Sequence, residues 1–349
     1  MKRIAKTQSN GHAAVAFDTA PMEARTANAL PDEKGLWQYE PKWDGFRCLA
    51  FKSAGEVELR SKSGKSLSRF FPEVVAGLAA LPLRDFVLDG ELVIEIDGHA
   101  AFDALQMRLH PAESRIKKLS SQTPACLIAF DLLVDEKSEP LLEVSLNERR
   151  ERLETLLQRI GDAGVVKLSP RSRDVDEANR WLAGSGHGTD GVIAKRLDDT
   201  YQPGERAMVK VKNLRTADCV VGGFRYASEG RRVGSLLLGL YDGEGRLDHV
   251  GFTSSISDDE RPALTKRLEK LKQAPGFTGK APGGPSRWST ERSAQWEPLK
   301  PQLVVEVRFD HVTGDRFRHG TKFLRWRPDK APKQCTFEQI APPAMVMPK

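Results

Sequence analysis

Residues 126 to 134 constrain the fold of this chain more than any other stretch. They read Cys-Leu-Ile-Ala-Phe-Asp-Leu-Leu-Val, an apolar run broken by one aspartate. A run of this length is typical of a β-strand that is buried on both faces. A second β-rich run precedes it at residues 86 to 96, and the capping-box pair Ser145 and Glu148 opens an amphipathic helix after it. This mixture of strands and helices indicates an α+β fold.

The sequence pattern changes near Thr216. Short strand-like segments separated by glycine-rich turns then follow, at residues 219–226, 233–241, 249–253 and 303–309, with one helix at about 262–271. Several short strands and a single helix in a segment of this size are typical of a small β-barrel of the OB type. We therefore predict a flexible N-terminal arm, a first domain, a barrel domain and a C-terminal tail, at residues 1–30, 31–215, 216–335 and 336–349.

The composition limits the classes of protein to which the chain can belong. Its 349 residues carry a formal net charge of +6, and a basic surplus fits a polyanionic partner. No apolar run reaches the length needed to span a membrane, and the basic N-terminus lacks the apolar segment of a secretory signal. Scattered cysteines without metal-ligand spacing predict reduced thiols in a cytoplasmic protein. These cysteines are Cys48, Cys126, Cys219 and Cys335.

Lys42 is a candidate nucleophile. It lies within Tyr-Glu-Pro-Lys-Trp-Asp-Gly-Phe-Arg at residues 39 to 47, where the proline and the glycine mark a loop between two strands. A neutral lysine amine attacks phosphorus or a carbonyl carbon well. Taken alone, a lysine beside a turn is more often a solvated surface residue, so the prediction depends on the residues that accompany it.

The order Lys42-x-Asp44-Gly45-x-Arg47 resembles the first motif of the covalent nucleotidyltransferases, which include DNA ligases, RNA ligases and mRNA capping enzymes. Segments similar to the later motifs follow in the family's order, at residues 61–64, 88–93, 129–133, 190–195, 209–212 and 325–330. Each segment alone is a weak signal, but their common order is specific. The resemblance implies a nucleotidyltransferase domain with the ATP-grasp-like fold of DNA ligases, followed by a β-barrel OB-fold domain.

The resemblance also assigns chemistry to named side chains. Lys42 would attack the α-phosphorus of ATP, forming lysyl-AMP and releasing pyrophosphate. The implied catalytic set is Lys42, Asp44, Lys195, Lys210, Lys212, Asp329 and Lys330. The implied nucleotide-binding set is Glu40, Lys42, Arg47, Lys62, Glu91, Phe130, Arg206, Lys210 and Lys212.

Several nucleotide contacts have a specific role in the family. Phe130 would stack on adenine, Arg47 would contact ribose or the 5′-phosphate of DNA, and Arg206 would contact a phosphate. Lys62 stands where the family usually has arginine. Arg60 therefore remains an alternative for the phosphate contact of the second motif.

A divalent cation, Mg²⁺ or Mn²⁺, is implied as a cofactor beside ATP. Glu91 and Asp190 would hold it, because hard cations prefer oxygen ligands; Glu91 could instead hold the ribose. The family commonly has glutamate at the position of Asp190, so this contact could be direct or through water. Asp44 would position the metal or the 3′ end of DNA. Asp329 and Lys330 fall in the sixth motif, within the OB domain, and would act on the first step only.

Residues 102–106 and 201–206 look like segments of the short bacterial ATP-dependent DNA ligases of the C type, and of the ligase domain of multifunctional end-joining ligases. The resemblance implies a monomeric enzyme of the bacterial cytosol, associated with the nucleoid. It would seal nicked or gapped duplex DNA in repair. Its possible partners are a repair polymerase or a Ku-like end-binding protein, and no association with a membrane is expected.

Two alternatives stay open from the sequence. An RNA ligase or a GTP-using capping enzyme would use the same covalent chemistry, and no single pocket residue excludes guanine. A non-catalytic OB-fold nucleic-acid binder would be expected to lack the nucleophile or the motif lysines, which are all present. The sequence also leaves open whether the DNA substrate is a nick, a gap or a double-strand break.

Overall fold

The computed structural model describes residues 11–12, 15–96, 98–161, 163–185, 188–283 and 295–341. The chain forms two compact units, one reaching Lys212 and the other beginning at Asn213. The break falls three residues before the boundary predicted between residues 215 and 216. Each unit has its own hydrophobic core.

The first unit is built on two sheets. Its strands are β1 (Gly11–His12), β2 (Val15–Ala16), β3 (Ala24–Thr26), β4 (Trp37–Trp43), β5 (Phe46–Ser53), β6 (Glu56–Ser61), β7 (Phe86–Ile96), β8 (His99–Ala100), β9 (Ala125–Val134), β10 (Val166–Leu168), β11 (Thr189–Arg196) and β12 (Met208–Lys212). One sheet has the order β10-β9-β7-β5-β6, with β8 beside β7, and the other has the order β3-β12-β11-β4. β1 and β2 form a separate pair.

Five α-helices cover these sheets: α1 (Pro72–Ala80), α2 (Phe102–Met107), α3 (Glu113–Gln122), α4 (Leu146–Ile160) and α5 (Val175–Ala183). Ser145 caps α4 as predicted, because its hydroxyl accepts a hydrogen bond from the Glu148 amide. α4 packs on β9, whereas α5 packs on β4 and β11.

The predicted buried strand is confirmed. Every residue of β9 is buried, including Asp131, whose charge would be unfavourable there without a partner. Arg149 of α4 satisfies it with two hydrogen bonds, of 2.8 Å and 3.0 Å, to the two carboxylate oxygens. The single aspartate in the apolar run is therefore the point at which α4 is fixed to the sheet.

Lys52 at the end of β5 is also buried. Its ammonium donates to the backbone carbonyls of Leu78, Ala79 and Leu81, at 3.0, 2.8 and 2.9 Å. These carbonyls lie at the C-terminal end of α1, where helix carbonyls lack intrahelical partners and a cation is favourable.

The prediction of a flexible arm is wrong for residues 15–30. Val15 and Met22 are buried in the core of the first unit, and β3 pairs in parallel with β12. Residues 11–12 form β1, which pairs with β2, and residues 1–10 and 13–14 lie outside the described residues. Small polar residues suggested a loose segment, but a partner strand far along the chain fixes it in place.

The second unit is a β-barrel of the OB type. Its strands are β13 (Arg215–Tyr226), β14 (Val233–Tyr241), β15 (Leu247–Thr253), β16 (Glu297–Pro298), β17 (Val304–Phe309), β18 (Val312–Thr313), β19 (Arg316–Phe317) and β20 (Lys322–Trp326), and its helix is α6 (Arg261–Glu269). The main sheet has the order β15-β14-β13-β17-β20. A bridge between Thr253 and Thr321 joins its two ends.

The predicted C-terminal tail begins too early. Short 3₁₀ turns at Pro332–Gln334 and Phe337–Ile340 follow β20, and Ile340 is buried in the core of the second unit. Arg215 donates to the Ala341 carbonyl at 2.6 Å. Residues 336–341 therefore belong to this unit, while residues 342–349 lie outside the described part of the chain. Across the described residues, no helix combines the length and apolar character needed to cross a membrane.

Candidate active site

A cavity of about 250 Å³ in the first unit is lined by strands of both sheets. It brings together many of the residues predicted from the motifs. These are Glu40, Lys42, Arg47, Lys62, Glu91, Phe130, Lys195 and Lys210. Glu23 and Ile193 also line it, and neither was predicted.

Lys42 lies near the end of β4, beside the irregular part of β11. Its Nζ is 2.7 Å from Oδ1 of Asp190, and Nζ of Lys212 is 3.2 Å from Oδ2 of the same carboxylate. Asp190 thus bridges two of the predicted catalytic lysines. Both contacts are ion pairs, and their attraction keeps the Lys42 amine beside the carboxylate.

Gly191 explains how Asp190 reaches this position. The residue has φ of +152°, and a Cβ placed there would lie 2.1 Å from the Val211 carbonyl oxygen of β12. Only glycine tolerates both the backbone conformation and the close approach of the two strands. The local backbone therefore requires glycine at position 191, and this glycine allows the Asp190 carboxylate to reach the two lysines.

Gly45 has a similar steric role on the other side of Lys42. A Cβ at this position would lie 2.2 Å from the Leu92 carbonyl oxygen and 2.8 Å from Cγ of Glu91. The turn between β4 and β5 can therefore approach β7 closely only with glycine. This contact brings Lys42 and Glu91 to one cavity.

Lys195 and Glu40 form a buried ion pair. Nζ of Lys195 is 2.9 Å from Oε2 of Glu40, and the other carboxylate oxygen accepts from Gln38 at 2.7 Å. The Lys195 ammonium also lies 4.5 Å from the centre of the Phe130 ring. Lys195 therefore lies at the aromatic wall of the cavity, where Glu40 is its carboxylate partner.

Phe130 forms that aromatic wall and is 7% exposed. The Arg47 guanidinium lies 4.5 Å from the ring centre and makes two hydrogen bonds, of 2.6 Å and 2.7 Å, to Asp89. Tyr201 donates a further hydrogen bond of 2.6 Å to Asp89. The sequence offered no specific reason to select Asp89 or Tyr201 as the residues that hold Arg47.

Glu91 lies opposite Arg47 in the β5–β7 register. Burial raises the pKa of its carboxyl to about 8, while the positive charges of Arg47 and Lys42 act in the opposite direction. The negative charges of Asp89 and Asp44 add to the increase in pKa. Perturbed carboxyl groups of this kind are typical of functional sites.

Several cations lie close to Lys210, a residue that lines the cavity. The pKa of Lys210 is lowered by burial and by the positive charges of Lys42, Lys212, Lys62 and Arg206. Such a concentration of positive charge is suited to binding phosphate groups. The predicted members of the fifth motif therefore share one electrostatic environment with Lys42.

The structure also distinguishes Lys62 from Arg60. Lys62 lines the cavity, whereas Arg60 lies 3.0 Å from Glu58 and donates to the Gly64 carbonyl at 3.1 Å. The Arg60 guanidinium lies 4.8 Å from the Phe17 ring centre, away from the cavity-lining residues. The geometry favours Lys62 for the phosphate contact of the second motif.

Asp44 is buried and its amide donates to the Gly188 carbonyl at 3.0 Å. Asp329 and Lys330 lie in the second unit. There Nζ of Lys330 is 3.2 Å from Asp218, and Arg327 bonds to both Asp218 and Asp329, each at 2.8 Å. Asp218, a buried residue of β13, was not predicted from the sequence.

The described residues contain no group of three or more histidine, cysteine, aspartate or glutamate side chains that could hold a metal ion. The two predicted ligands, Glu91 and Asp190, are nevertheless of the right chemical type, because Mg²⁺ is commonly bound by one or two carboxylates together with substrate phosphates and water. The donor set therefore fits a metal that arrives with a phosphate-bearing ligand.

The sequence matches the family of the ATP dependent DNA ligase domain over residues 21–212, and the ATP dependent DNA ligase C terminal region over residues 229–330. DNA ligase C2 of Mycolicibacterium smegmatis is 45% identical over 346 residues, covering 93% of this chain and 94% of that protein. The chain belongs to the ATP-dependent DNA ligases, and within that family to the C type.

Two further proteins are similar over most of this chain. The multifunctional non-homologous end joining protein LigD of Mycobacterium bovis is 33% identical over 331 residues, which are 92% of this chain and 40% of LigD. A solved structure of a Lig E DNA ligase has 19% identity and a TM-score of 0.54, covering 88% of this chain and all of that one. This structural similarity supports the α+β fold with a second, OB-type domain.

Membership of this family decides between the functions left open by the sequence. The protein is an ATP-dependent DNA ligase, and ATP is its nucleotide. The interpretations as an RNA ligase, a capping enzyme or a non-catalytic OB-fold binder are not supported. The roles of individual side chains remain predictions. The distances and contacts in the cavity make these predictions more specific.

Proposed function

We propose that Lys42 is the residue that carries AMP in this ligase. The observation that supports this assignment is accessibility. The Lys42 side chain is 25% exposed at the cavity, whereas Lys195 is enclosed by its ion pair with Glu40. A nucleophile must reach the α-phosphorus of ATP directly, and of these two lysines only Lys42 has a partly exposed side chain.

In the proposed first step, the neutral amine of Lys42 attacks the α-phosphorus. A nitrogen–phosphorus bond forms, the bond from phosphorus to the bridging oxygen of pyrophosphate breaks, and the amine loses a proton to solvent. Lys210 and Lys212, with Lys62 and Arg206, stabilise the negative charge that gathers on the phosphate oxygens. Asp190 orients the Lys42 amine before the attack.

At the other end of the nucleotide, we assign adenine to the wall formed by Phe130 and Ile193. Arg47 and Glu91 then face the ribose, and Glu40 completes this end of the site. The tight pairing of Arg47 with Asp89 supports a positioning contact, since a guanidinium held by two hydrogen bonds keeps its orientation.

Glu91 and Asp190 are proposed to hold Mg²⁺ or Mn²⁺. A bound divalent cation supplies positive charge that neutralises phosphate oxygens during the transfer. The remaining ligands would be phosphate oxygens and water. Asp44, close enough to Glu91 to influence its pKa, is assigned to the same region as a group that positions the metal or the 3′ end of DNA.

In the two later steps, the 5′-phosphate of a nick attacks the AMP phosphorus and displaces Lys42. The adjacent 3′-hydroxyl then attacks the 5′-phosphorus, forms the phosphodiester and releases AMP. We further propose that this monomeric enzyme acts in repair in the bacterial cytosol, at the nucleoid. The 33% identity to a protein named for non-homologous end joining supports a double-strand-break role with a repair polymerase or a Ku-like partner.

The assignment of Lys42 is tested by mass spectrometry of the protein after incubation with ATP and Mg²⁺. Wild-type protein gains the mass of one AMP, whereas Lys42→Ala and Lys42→Arg do not. Lys34→Ala, which removes an exposed lysine away from the cavity, retains the adduct. An AMP adduct on Lys42→Ala would refute the assignment.

The substrate proposal needs a separate comparison. Purified ligase is assayed on duplexes that carry a nick, a one-nucleotide gap, a ribonucleotide at the 3′ side of the nick, or two free ends. We expect the nicked duplex to be sealed fastest. Joining of free ends that increases on addition of a Ku-like protein supports the end-joining role, and no increase argues against it.

A further inference from the structure

Glu23 occupies the cation-rich part of the cavity. One carboxylate oxygen lies 2.9 Å from Nζ of Lys62, and the other lies 3.9 Å from Nε of Arg206. Its backbone is fixed on both sides, since its amide donates to the Glu205 carbonyl at 2.7 Å and its carbonyl accepts from the Met208 amide at 3.1 Å. The backbone immediately before β3 therefore holds this carboxylate beside the cations.

The electrostatics of the site keep this carboxylate ionised. Its hydrogen bond with Lys62 lowers the pKa of Glu23, and the positive charges of Lys62, Arg206 and Lys210 contribute in the same direction against the effect of burial. The same three cations are among those assigned above to the phosphates of ATP. Glu23 thus occupies the position in which a phosphate oxygen would contact the same cations.

We propose that Glu23 is an internal counterion that competes with phosphate for Lys62 and Arg206, and so limits how tightly the ligase holds ATP and pyrophosphate. The inference rests on the proposed function, because it takes the cavity around Lys42 as the ATP site. It adds a residue that controls release as well as binding. When pyrophosphate leaves, the carboxylate returns to the two cations and opposes rebinding.

The exposure of Lys62 and Arg206 determines whether the loss of the Glu23 charge strengthens or weakens phosphate binding. The Lys62 and Arg206 side chains are 59% and 75% exposed, so both can turn from a carboxylate to a phosphate. Exposed ion pairs contribute little and exchange readily. A phosphate carries more charge than a carboxylate and accepts hydrogen bonds from arginine in pairs. Removing the competing charge should therefore tighten phosphate binding.

The test measures binding of α,β-methylene-ATP, whose carbon bridge prevents transfer of AMP to Lys42. Glu23→Gln keeps the shape of the side chain and removes its charge. We expect the dissociation constant to fall by about two- to fivefold, the range typical of one exposed ion pair. Inhibition of self-adenylation by pyrophosphate should strengthen by a similar factor, whereas binding of adenosine, which lacks phosphates, should not change.

Asp198→Asn is the matched control, since it removes the same charge from an exposed pair with Arg196 that lies away from the cavity-lining residues. It should leave all three measurements unchanged. In a Lys62→Met background, Glu23→Gln should have a smaller effect than in wild type, because one of the contested cations is gone. A purely structural role for Glu23 would not produce this dependence on Lys62.

Unchanged or weaker binding of α,β-methylene-ATP by Glu23→Gln would overturn the proposal. The AMP adduct is measured by mass on the same preparations. An adduct on Lys42 together with unchanged binding would reject the role of Glu23 and leave the proposed function intact. Adduct formation that does not require Lys42 would instead reject the proposed function on which the inference rests.

Discussion

Phe130 is the residue that we propose to stack on adenine. The Arg47 and Lys195 cations each lie 4.5 Å from the centre of its ring, and the side chain lines the cavity together with Ile193. We expect Phe130→Ala to raise the ATP concentration needed for half-maximal self-adenylation by roughly tenfold, the scale of one lost base–aromatic stack. Phe130→Tyr keeps the ring and should change it far less.

The thermal midpoint of each Phe130 variant separates stacking from packing. Phe130 is nearly buried, so the alanine variant should also lose stability. The difference between the two substitutions in ATP requirement should persist at temperatures well below both midpoints. Equal effects of alanine and tyrosine on the ATP requirement would indicate a role in the core only.

Glu91 provides a prediction about stability and pH. Burial raises the pKa of its carboxyl to about 8, from an ordinary value of 4.5, so the folded protein holds this proton more tightly than the unfolded chain does. Stability from this group is fully present at low pH and is lost as the pH rises through about 8. Glu91→Gln, which cannot ionise, avoids the loss.

The thermal midpoint of Glu91→Gln relative to wild type should therefore increase between pH 5 and pH 9. We expect a gain of several degrees, because a rise in pKa from 4.5 to about 8 is linked to a few kcal/mol of stability, lost mostly between about pH 5 and pH 8. Glu95→Gln, an exposed position on the same strand, should show no such trend. A difference between Glu91→Gln and wild type that is constant with pH would contradict the raised pKa.

At the scale of secondary-structure elements, the close approach of β11 to β12 places Asp190 beside Lys42 and Lys212. A Cβ at Gly191 would lie 2.1 Å from Val211 O and 2.9 Å from Cα of Lys212. Gly191→Ala should therefore push the two strands apart and displace Asp190 from Lys42 and Lys212. We expect self-adenylation to fall at least tenfold and the thermal midpoint to fall by several degrees, as is usual for strain at a special backbone position.

Gly55→Ala is the control for this substitution. Gly55 also has a positive φ, of +88°, but nothing lies within 4 Å of an added Cβ. It should cost some stability through backbone strain alone and retain the rate of self-adenylation. If Gly191→Ala keeps the wild-type rate, the approach of β11 to β12 does not control the Lys42 amine.

The elements that the sequence predicted best are those with a strong local signal. The buried strand β9 and the capped helix α4 could be predicted, because apolar continuity and a capping box are properties of neighbouring residues. β3 could not, since its strand character depends on pairing with β12, far away in sequence. The arm was therefore predicted to be flexible, although residues 15–30 are held in place.

The same distinction applies to the site. Lys42, Arg47, Glu91 and Phe130 could be predicted because motif order identifies them. Glu23 and Asp218 could not, because an isolated acidic residue in a sequence is usually a solvated surface group. Their importance appears only when folding places them against cations that come from distant segments. Pairing of charges across the fold is the part of this site that the sequence left undetermined.

At the scale of the whole molecule, the division into two units was predicted from the change in pattern near Thr216, and the second unit carries the sixth motif. Asp329 and Lys330 are proposed to serve only the first step. Lys330→Ala should therefore lose self-adenylation by at least tenfold while retaining most sealing of a nick that already carries AMP. Both activities are measured with one nicked duplex, prepared with and without the adenylate.

Lys333→Ala is the matched control for Lys330→Ala, because Lys333 is an exposed lysine nearby. It should keep both activities. The thermal midpoint of Lys330→Ala should change little, because Asp218 keeps its 2.8 Å ion pair with Arg327. Equal loss of both activities in a folded Lys330→Ala protein would refute a role restricted to the first step.

The capping of α1 by Lys52 has a consequence for the protein chemistry of this ligase. All three donors of that amine are committed to carbonyls, and burial lowers its pKa. An acylating reagent can modify Lys52 only after the end of α1 has opened. The rate at which Lys52 becomes acetylated, followed by peptide mass mapping, thus reports local opening of the first unit. Lys34, exposed in the same unit, reacts immediately and provides the internal reference.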